Sequence, residues 1–520
     1  MPFPRALLLV VLAALAVPAV ATAAPTASAD FDGDGAADLA IGAPLDSVAG
    51  RQHAGAVNVI YGSASGGLRA DDDQQFTQGT PGVKGWVDAD DRFGETLAAG
   101  EFDGDGHADL AVGSPGEDVA GVRNTGVVTV LYGSGRGLTV RDELFGQDFG
   151  GAPGTGEPEQ NFGSALAAAD FSGDGRDDLA IGIRDDAVGG HDGAGAVVVL
   201  HSTAGGVTNG DSQIWTQNTA GVKGVAAPFH RFGAALAAGD LDRDGEADLA
   251  IGIPGGTIDG HVGAGAVTVL NEAGGRLRAT ADQLWSQGAR GIKGAPEDSD
   301  GFGWSVAMGD FNQDGDMDLA VGTPFESIGA VPEAGAVSVL YSAGRLRGAD
   351  EAFHQDKRGI KGGAEEGDRF GHALATGDLD GDGEHDLLVG TPLEDLGSIA
   401  DAGAVSVLYG SESYGVTRRD DFWSQGSRGI KGIHQAFDNF GASVTAGDFD
   451  GDRRWDLVAA APRDSVQGFR EAGAVNVVYG NRGGLREDPD QLWTQGTRGI
   501  KGAVGDDLFG AALASGSPTR

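Results

Sequence analysis

Oxygen-bearing side chains at positions 1, 3, 5 and 9 of one tight turn can surround a hard cation, and this chain offers that arrangement seven times. The first copy is Asp30, Asp32, Asp34 and Asp38, and the second is Glu101, Asp103, Asp105 and Asp109. Asp170, Ser172, Asp174 and Asp178 make the third, and Asp240, Asp242, Asp244 and Asp248 the fourth. The fifth is Asp310, Asn312, Asp314 and Asp318, and the sixth is Asp378, Asp380, Asp382 and Asp386. Asp448, Asp450, Asp452 and Asp456 complete the set. The backbone carbonyl at position 7 is a further candidate ligand, at Ala36, His107, Arg176, Glu246, Asp316, Glu384 and Arg454. Glycine at position 6 lets the chain bend sharply around an ion. All-oxygen ligation favours Ca²⁺ over Zn²⁺ or copper, so up to seven Ca²⁺ are expected. The loop is not an EF-hand: position 12 is Ile41, Ile251 or Val321 where that motif needs a bidentate Glu, so Asp at position 9 must close the site.

The copies differ. Glu101 replaces Asp at position 1, Ser172 and Asn312 replace it at position 3, and Arg453 replaces Gly at position 6. Ser and Asn still offer a neutral oxygen, whereas Arg453 must bend with a Cβ in place. Asp and Gly are good turn formers in general. That accounts for one or two copies, not for the same five positions seven times.

The elements that must hold these loops repeat with them. Successive loops start 71, 69, 70, 70, 68 and 70 residues apart, a period that argues for one array. Each unit carries a Phe-Gly strand before the loop and an Asp-Leu-Ala-Val-Gly strand after it, usually with Pro two residues beyond Gly. A Gly-Ala-Val-x-Val-Leu-Tyr strand and an aromatic-x-Gln strand follow. Short β-branched runs bounded by Gly, Pro and Asp predict strands. Four strands, seven times, predict an all-β fold: a seven-bladed β-propeller of four-stranded antiparallel blades. The first loop has no Phe-Gly strand ahead of it, and Phe509-Gly510 has no loop behind it. The C-terminal Phe-Gly strand should therefore complete the first blade and close the ring, leaving no open sheet edge.

The 520 residues include 77 Asp plus Glu against 36 Lys plus Arg, a formal charge of −41 that would repel nucleic acid and anionic membranes. Much of the excess is local, since the seven loops hold 26 carboxylates at positions 1, 3, 5 and 9. Met1 to Ala23 read as a signal peptide: Arg5, an apolar stretch to Val20, and Ala21-Thr22-Ala23 as the cleavage site. One propeller domain over residues 24–520 is then expected to be secreted and monomeric, with no membrane span. It contains no cysteine, so bound cations replace disulfides as the natural staples.

Antiparallel order puts the acidic loops on one face and the links between blades on the other. Those links carry Lys84, Lys223, Lys293, Lys361, Lys431 and Lys501, and only the link before Phe162 lacks a lysine. Two readings stand: each pairs with a nearby acid such as Asp91, Asp300 or Asp368, or together they gather an anionic or sugar-like ligand. The fourth-strand aromatics read as packing between blades, with lectin platforms as the alternative. The ten histidines share no repeat position and read as surface residues.

Together, Phe93-Gly94, the acidic loops and Gly42-Ala43-Pro44 resemble the FG-GAP repeat family, the propeller of integrin α subunits. The resemblance spans the whole mature chain. It implies Ca²⁺ on the loop face and ligand binding on the opposite face. All seven blades carry a loop here, unlike integrin α subunits, so the exported bacterial type is the nearer resemblance. An adhesion or ligand-binding module is expected, its partner an extracellular protein or glycan. No catalytic constellation stands out; a calcium-dependent lectin and a polysaccharide-cleaving enzyme are the alternatives.

Overall fold

Among the described residues every regular element is a strand, and the strands assemble into seven antiparallel sheets of four. The structure is a computed structural model describing residues 29–515 apart from 65 and 149. The proposed signal peptide, residues 1–23, lies outside the described residues. In blade 2 the strands Thr96–Gly100, Asp109–Ser114, Val127–Leu131 and Asp142–Phe145 run from the innermost to the outermost. Gly100 pairs with Asp109 across the acidic loop, which is therefore a hairpin tip.

The ring closes as expected. Ala512–Ala514 pairs antiparallel with Leu39–Ala43, Leu513 opposite Ile41, and completes blade 1. It also packs against Thr96–Gly100 of blade 2 and Ser443–Gly447 of blade 7, so the innermost strands form an unbroken circle.

The large core clusters lie between blades. Successive residues of a strand point to opposite faces, so Leu39 and Ile41 pack with Val458 and Val475 of blade 7. Ala40 between them packs with Leu97 and Leu110 of blade 2. Both faces of the inner strands are covered, which is why the second strands read as continuous apolar runs and are buried at every residue. The outer strands are covered only in part: in Arg69–Phe76 only Asp73 and Phe76 are buried. The two glycines of the repeat meet at these seams. A Cβ on Gly42 would lie 2.1 Å from the carbonyl oxygen of Gly94 in the next blade.

Candidate metal centre

The loop face is wired into a second ring. The position 8 N–H of each loop donates to the position 1 carbonyl of the loop before it: Ala108 to Asp30 (3.0 Å), Asp177 to Glu101 (2.9 Å), Met317 to Asp240 (3.0 Å), Trp455 to Asp378 (2.8 Å). Ala37 donates to Asp448 (2.9 Å) and closes the circle.

Within a loop the chain turns around the position 1 carboxylate. Asp30 accepts the N–H of Asp34 (3.0 Å) on Oδ1 and of Gly35 (2.8 Å) on Oδ2. The position 5 carboxylate accepts the N–H of position 7, as Asp34 does from Ala36 (3.0 Å), and this recurs in all seven loops. Position 9 ties the loop to the sheet. Asp386 accepts Leu379 N–H (2.9 Å) on Oδ2 and Gly410 N–H (2.9 Å), at the end of the third strand, on Oδ1.

Asp30, Asp32 and Asp38 bring carboxylate oxygens within 4.8 Å of one another, as do Glu101, Asp103 and Asp109, and Asp378, Asp380 and Asp386. In blade 4 positions 1, 3 and 5 converge instead, at Asp240, Asp242 and Asp244, and Asp244 also meets Glu246 and Glu272. Positions 1, 3 and 9 thus form the nucleus in three loops, with position 5 engaged on the backbone. Asp170, Ser172, Asp174 and Asp178, and likewise the loops at Asp310 and Asp448, keep the same backbone wrapping.

Burial, then mutual repulsion, raises these acids. Asp109 and Asp318 are pushed up to about 8 and Asp248 to about 7, and Asp38, Asp386 and Asp456 stand well above the usual carboxylate range. Oδ1 of Asp380 is buried without a hydrogen-bond partner. Hard oxygens, crowded negative charge and an orphaned acceptor fit a divalent cation. Positions 1, 3 and 9 would hold it, with position 5 taking the place of position 9 in blade 4. Once bound it would supply charge neutralisation.

Arg453 keeps the loop shape at a cost. Its φ of 71° matches the left-handed turn of Gly35 (92°) and Gly106 (89°), and its N–H reaches Asp448 Oδ2 at 2.8 Å.

Sequence reasoning missed the arginines beside the loops. Arg141 pairs with Asp103, Arg419 with Asp380 (2.9 Å) and Arg486 with Asp450 (3.1 Å). Each guanidinium lies over a tyrosine at or just past the end of a third strand, 4.0 Å from the Tyr132 ring, 3.7 Å from Tyr409 and 5.8 Å from Tyr479. The spacing between Tyr and Arg varies, so no motif announces them.

The lysine partners need correction. Lys84, Lys223, Lys431 and Lys501 bond Asp142, Asp282, Asp490 and Asp73, which lie on the outer strand of the next blade. In each pair the ammonium meets the Asp carbonyl, and the lysine N–H meets its carboxylate at 2.6 to 2.7 Å. Lys361 varies the pattern: its N–H meets the Asp420 carboxylate, but its ammonium reaches the Asp421 carboxylate at 3.4 Å. Asp91, Asp300 and Asp368 instead accept backbone N–H groups of Asp88, Glu297 and Glu365. Lys293 holds the same repeat position. Lys84, Lys223, Lys361, Lys431 and Lys501 therefore clasp neighbouring blades at the rim. A second correction concerns histidine: His201, His230 and His372 are buried.

Residues 24–60, 93–131, 162–200, 232–270, 302–340, 370–408 and 440–478 each match the FG-GAP repeat. Integrin alpha-5 of Xenopus laevis is 33% identical over 236 residues, 44% of this chain and 20% of that protein. Phosphatidylinositol-glycan-specific phospholipase D of Bos taurus is 31% identical over 194 residues, 36% of this chain and 22% of that protein. The matched regions thus span only about a fifth of these relatives. Among solved structures, the exotype rhamnogalacturonan lyase YesX aligns over 90% of this chain and 67% of its own, at 12% identity and a TM-score of 0.35. No helix among the described residues is long and apolar enough to cross a membrane. Seven matched repeats, one per blade, covering over half the sequence, place this chain in the FG-GAP repeat family.

Proposed function

We propose that this integrin-alpha-like propeller is a secreted calcium-binding protein that acts as an adhesion or ligand-binding module through the face opposite its acidic loops, without catalysis of its own. The distribution of exposed apolar side chains carries this reading. Of the ten large hydrophobics exposed among the described residues, seven lie on that upper face. Trp86, Val225, Phe229, Ile433 and Phe437 sit in the links between blades, and Val262 and Phe469 in the turns between second and third strands. Concentrated apolar exposure rimmed by polar residues marks partner-binding surfaces. The loop face is committed to charge, and calcium there would brace the scaffold that presents the upper loops.

The test is capture of a partner from the source organism's own envelope on immobilised protein, with calcium and with EDTA. The Phe229→Ser, Phe437→Ser double variant should lose the captured partner while keeping its melting temperature. Equal capture by the double variant would overturn the upper-face assignment.

A further inference from the structure

Above the acidic loops each blade junction carries another repeated device, and one junction lacks its central part. In six blades an acid closes the turn after the second strand: Asp46, Glu117, Asp186, Glu326, Glu394 and Asp464. In blade 4 that place belongs to Gly256. Its N–H reaches Ile253 O (2.9 Å) and its carbonyl accepts Gly265 N–H (3.0 Å), as Glu117 does with Ser114 (3.2 Å) and Gly126 (3.0 Å). The backbone is the same and only the carboxyl is missing.

In four of those six blades the carboxyl has the same task. A glutamine closing the preceding blade donates its Nε2 to it, from Gln78 to Glu117 (2.5 Å), Gln287 to Glu326 (2.6 Å), Gln425 to Asp464 (3.0 Å), and from Gln355 to Glu394. The equivalent Gln217 finds no side chain at Gly256. It faces a cavity of about 440 Å³, lined by Val225, His230, Thr257, Ile258 and Leu284. The amide is held ready, because its Oε1 meets His230 Nδ1 at 2.9 Å, so Nδ1 carries the proton and Nε2 of Gln217 forms the other arm. His230 is itself buried, and its own Nε2 has no partner. It stands where five other junctions have Asp91, Asp300, Asp368, Asp438 and Asp507. This junction alone has no acid at either place, so an incoming anion meets least repulsion here.

We propose that this cavity receives the carboxylate of a partner protein's acidic side chain, which takes the place vacated at Gly256 and accepts the Gln217 Nε2 hydrogen. Val225, 70% exposed at its edge, and the lining Ile258 and Leu284 select an acid flanked by apolar residues. The site deepens the upper-face reading and rests on it for the source of the carboxylate. Its chemistry can be tested without that partner.

The probes are a blocked Leu-Glu-Leu peptide, its Leu-Gln-Leu counterpart and galacturonate, titrated into the calcium-loaded full chain. The NMR signals of the His230 ring, assigned by their loss in His230→Gln, report occupancy. The Glu peptide should shift them saturably and bind at least tenfold tighter than the Gln peptide. Gly256→Glu restores an internal carboxylate; a Cβ there meets nothing closer than Ile253 O at 3.1 Å. That variant should weaken the peptide at least tenfold with an equal or higher melting temperature, and Gln217→Leu should weaken it comparably. No saturable shift, equal binding by Gly256→Glu, or saturation by galacturonate in place of the peptide would each overturn the proposal. If the peptide binds as expected and envelope capture fails, the adhesion reading falls and the pocket stands.

Discussion

The two faces of this ring crowd carboxylates in different ways. On the lower face the acids cluster among backbone donors, a few arginines and two histidines, an arrangement that a cation would complete. On the upper face a glutamine amide meets an acid on its Nε2 side, and its Oε1 is left over. Oε1 of Gln78, Gln287, Gln355 and Gln425 is buried without a partner, as is Oδ1 of Asp91. Two junctions reveal what the remaining position supplies. Where Asp is replaced by Gln160 or His230, that residue meets the amide oxygen, of Gln147 and Gln217 respectively. A carboxyl can do this only when protonated. Burial pushes Asp91 up to about 6, Asp368 and Asp438 to about 7, and Glu117 and Glu394 to about 8. One residue type thus serves two faces, grouped below where a cation would neutralise it and raised above toward the protonated form that can meet the amide oxygen.

Removing the cation gives the largest separation between the faces. At ~1 mM calcium and a Kd of ~10⁻⁴ M, each occupied loop contributes about 1.4 kcal/mol. EDTA should therefore lower the melting temperature by well over ten degrees, with hydrogen exchange rising first in the loops and not in the upper junctions. An unchanged melt would remove the metal from the comparison altogether.

Next comes a pair of single substitutions. Asp386→Ala strips two buried backbone N–H groups of their acceptor as well as a candidate ligand, and should cost about 3 kcal/mol by calcium-saturated urea unfolding. Glu394→Gln, on the upper face, exchanges a carboxyl that shares a proton for a neutral amide and should cost under about 1 kcal/mol. Equal losses would mean the two faces are not neutralised differently.

The pH dependence sharpens the contrast. The upper acids have folded pKa values raised above their unfolded ones, so the folded state holds the extra protons. Their contribution is fully present below about pH 4 and is lost as pH rises through 6 to 8. With calcium saturating, the melting temperature should fall between pH 5 and 9, and Asp91→Asn with Asp368→Asn should flatten that slope. A flat wild-type profile would show that these acids are not proton-holding pairs.

The loops and the ring were legible because both are periodic: a constant spacing announces a repeated unit, and a split unit announces closure. The lysine clasp was legible too, though it went unread. The link lacking lysine precedes blade 3, where Ser212 stands at the outer-strand place that Asp73, Asp142, Asp282, Asp350, Asp420 and Asp490 hold in the other blades. Lys and Asp are present or absent together. The upper amides were harder, since Gln78 and Glu117 lie 39 residues apart and belong to different blades. Local pattern reveals a strand's partners only within its own sheet, and these contacts cross a seam.

The smallest expected effect concerns the one loop that breaks its own rule. Arg453 holds a left-handed backbone at φ 71° where six loops use glycine. A Cβ in that region costs about 1 to 2 kcal/mol, and glycine gives back part of the difference through the freedom of the unfolded chain. Arg453→Gly should therefore stabilise the protein by about 0.5 to 1 kcal/mol. The N–H to Asp448 Oδ2 bond is made by the backbone and survives the change. The variant also removes a positive charge from the acidic loop, so calcium affinity at that site should rise slightly and chelation should cost more. Stabilisation that vanished in EDTA would assign the gain to the metal, whereas a gain persisting in EDTA assigns it to the backbone. A loss of stability would show that the Arg453 side chain makes contacts worth more than the strain it carries.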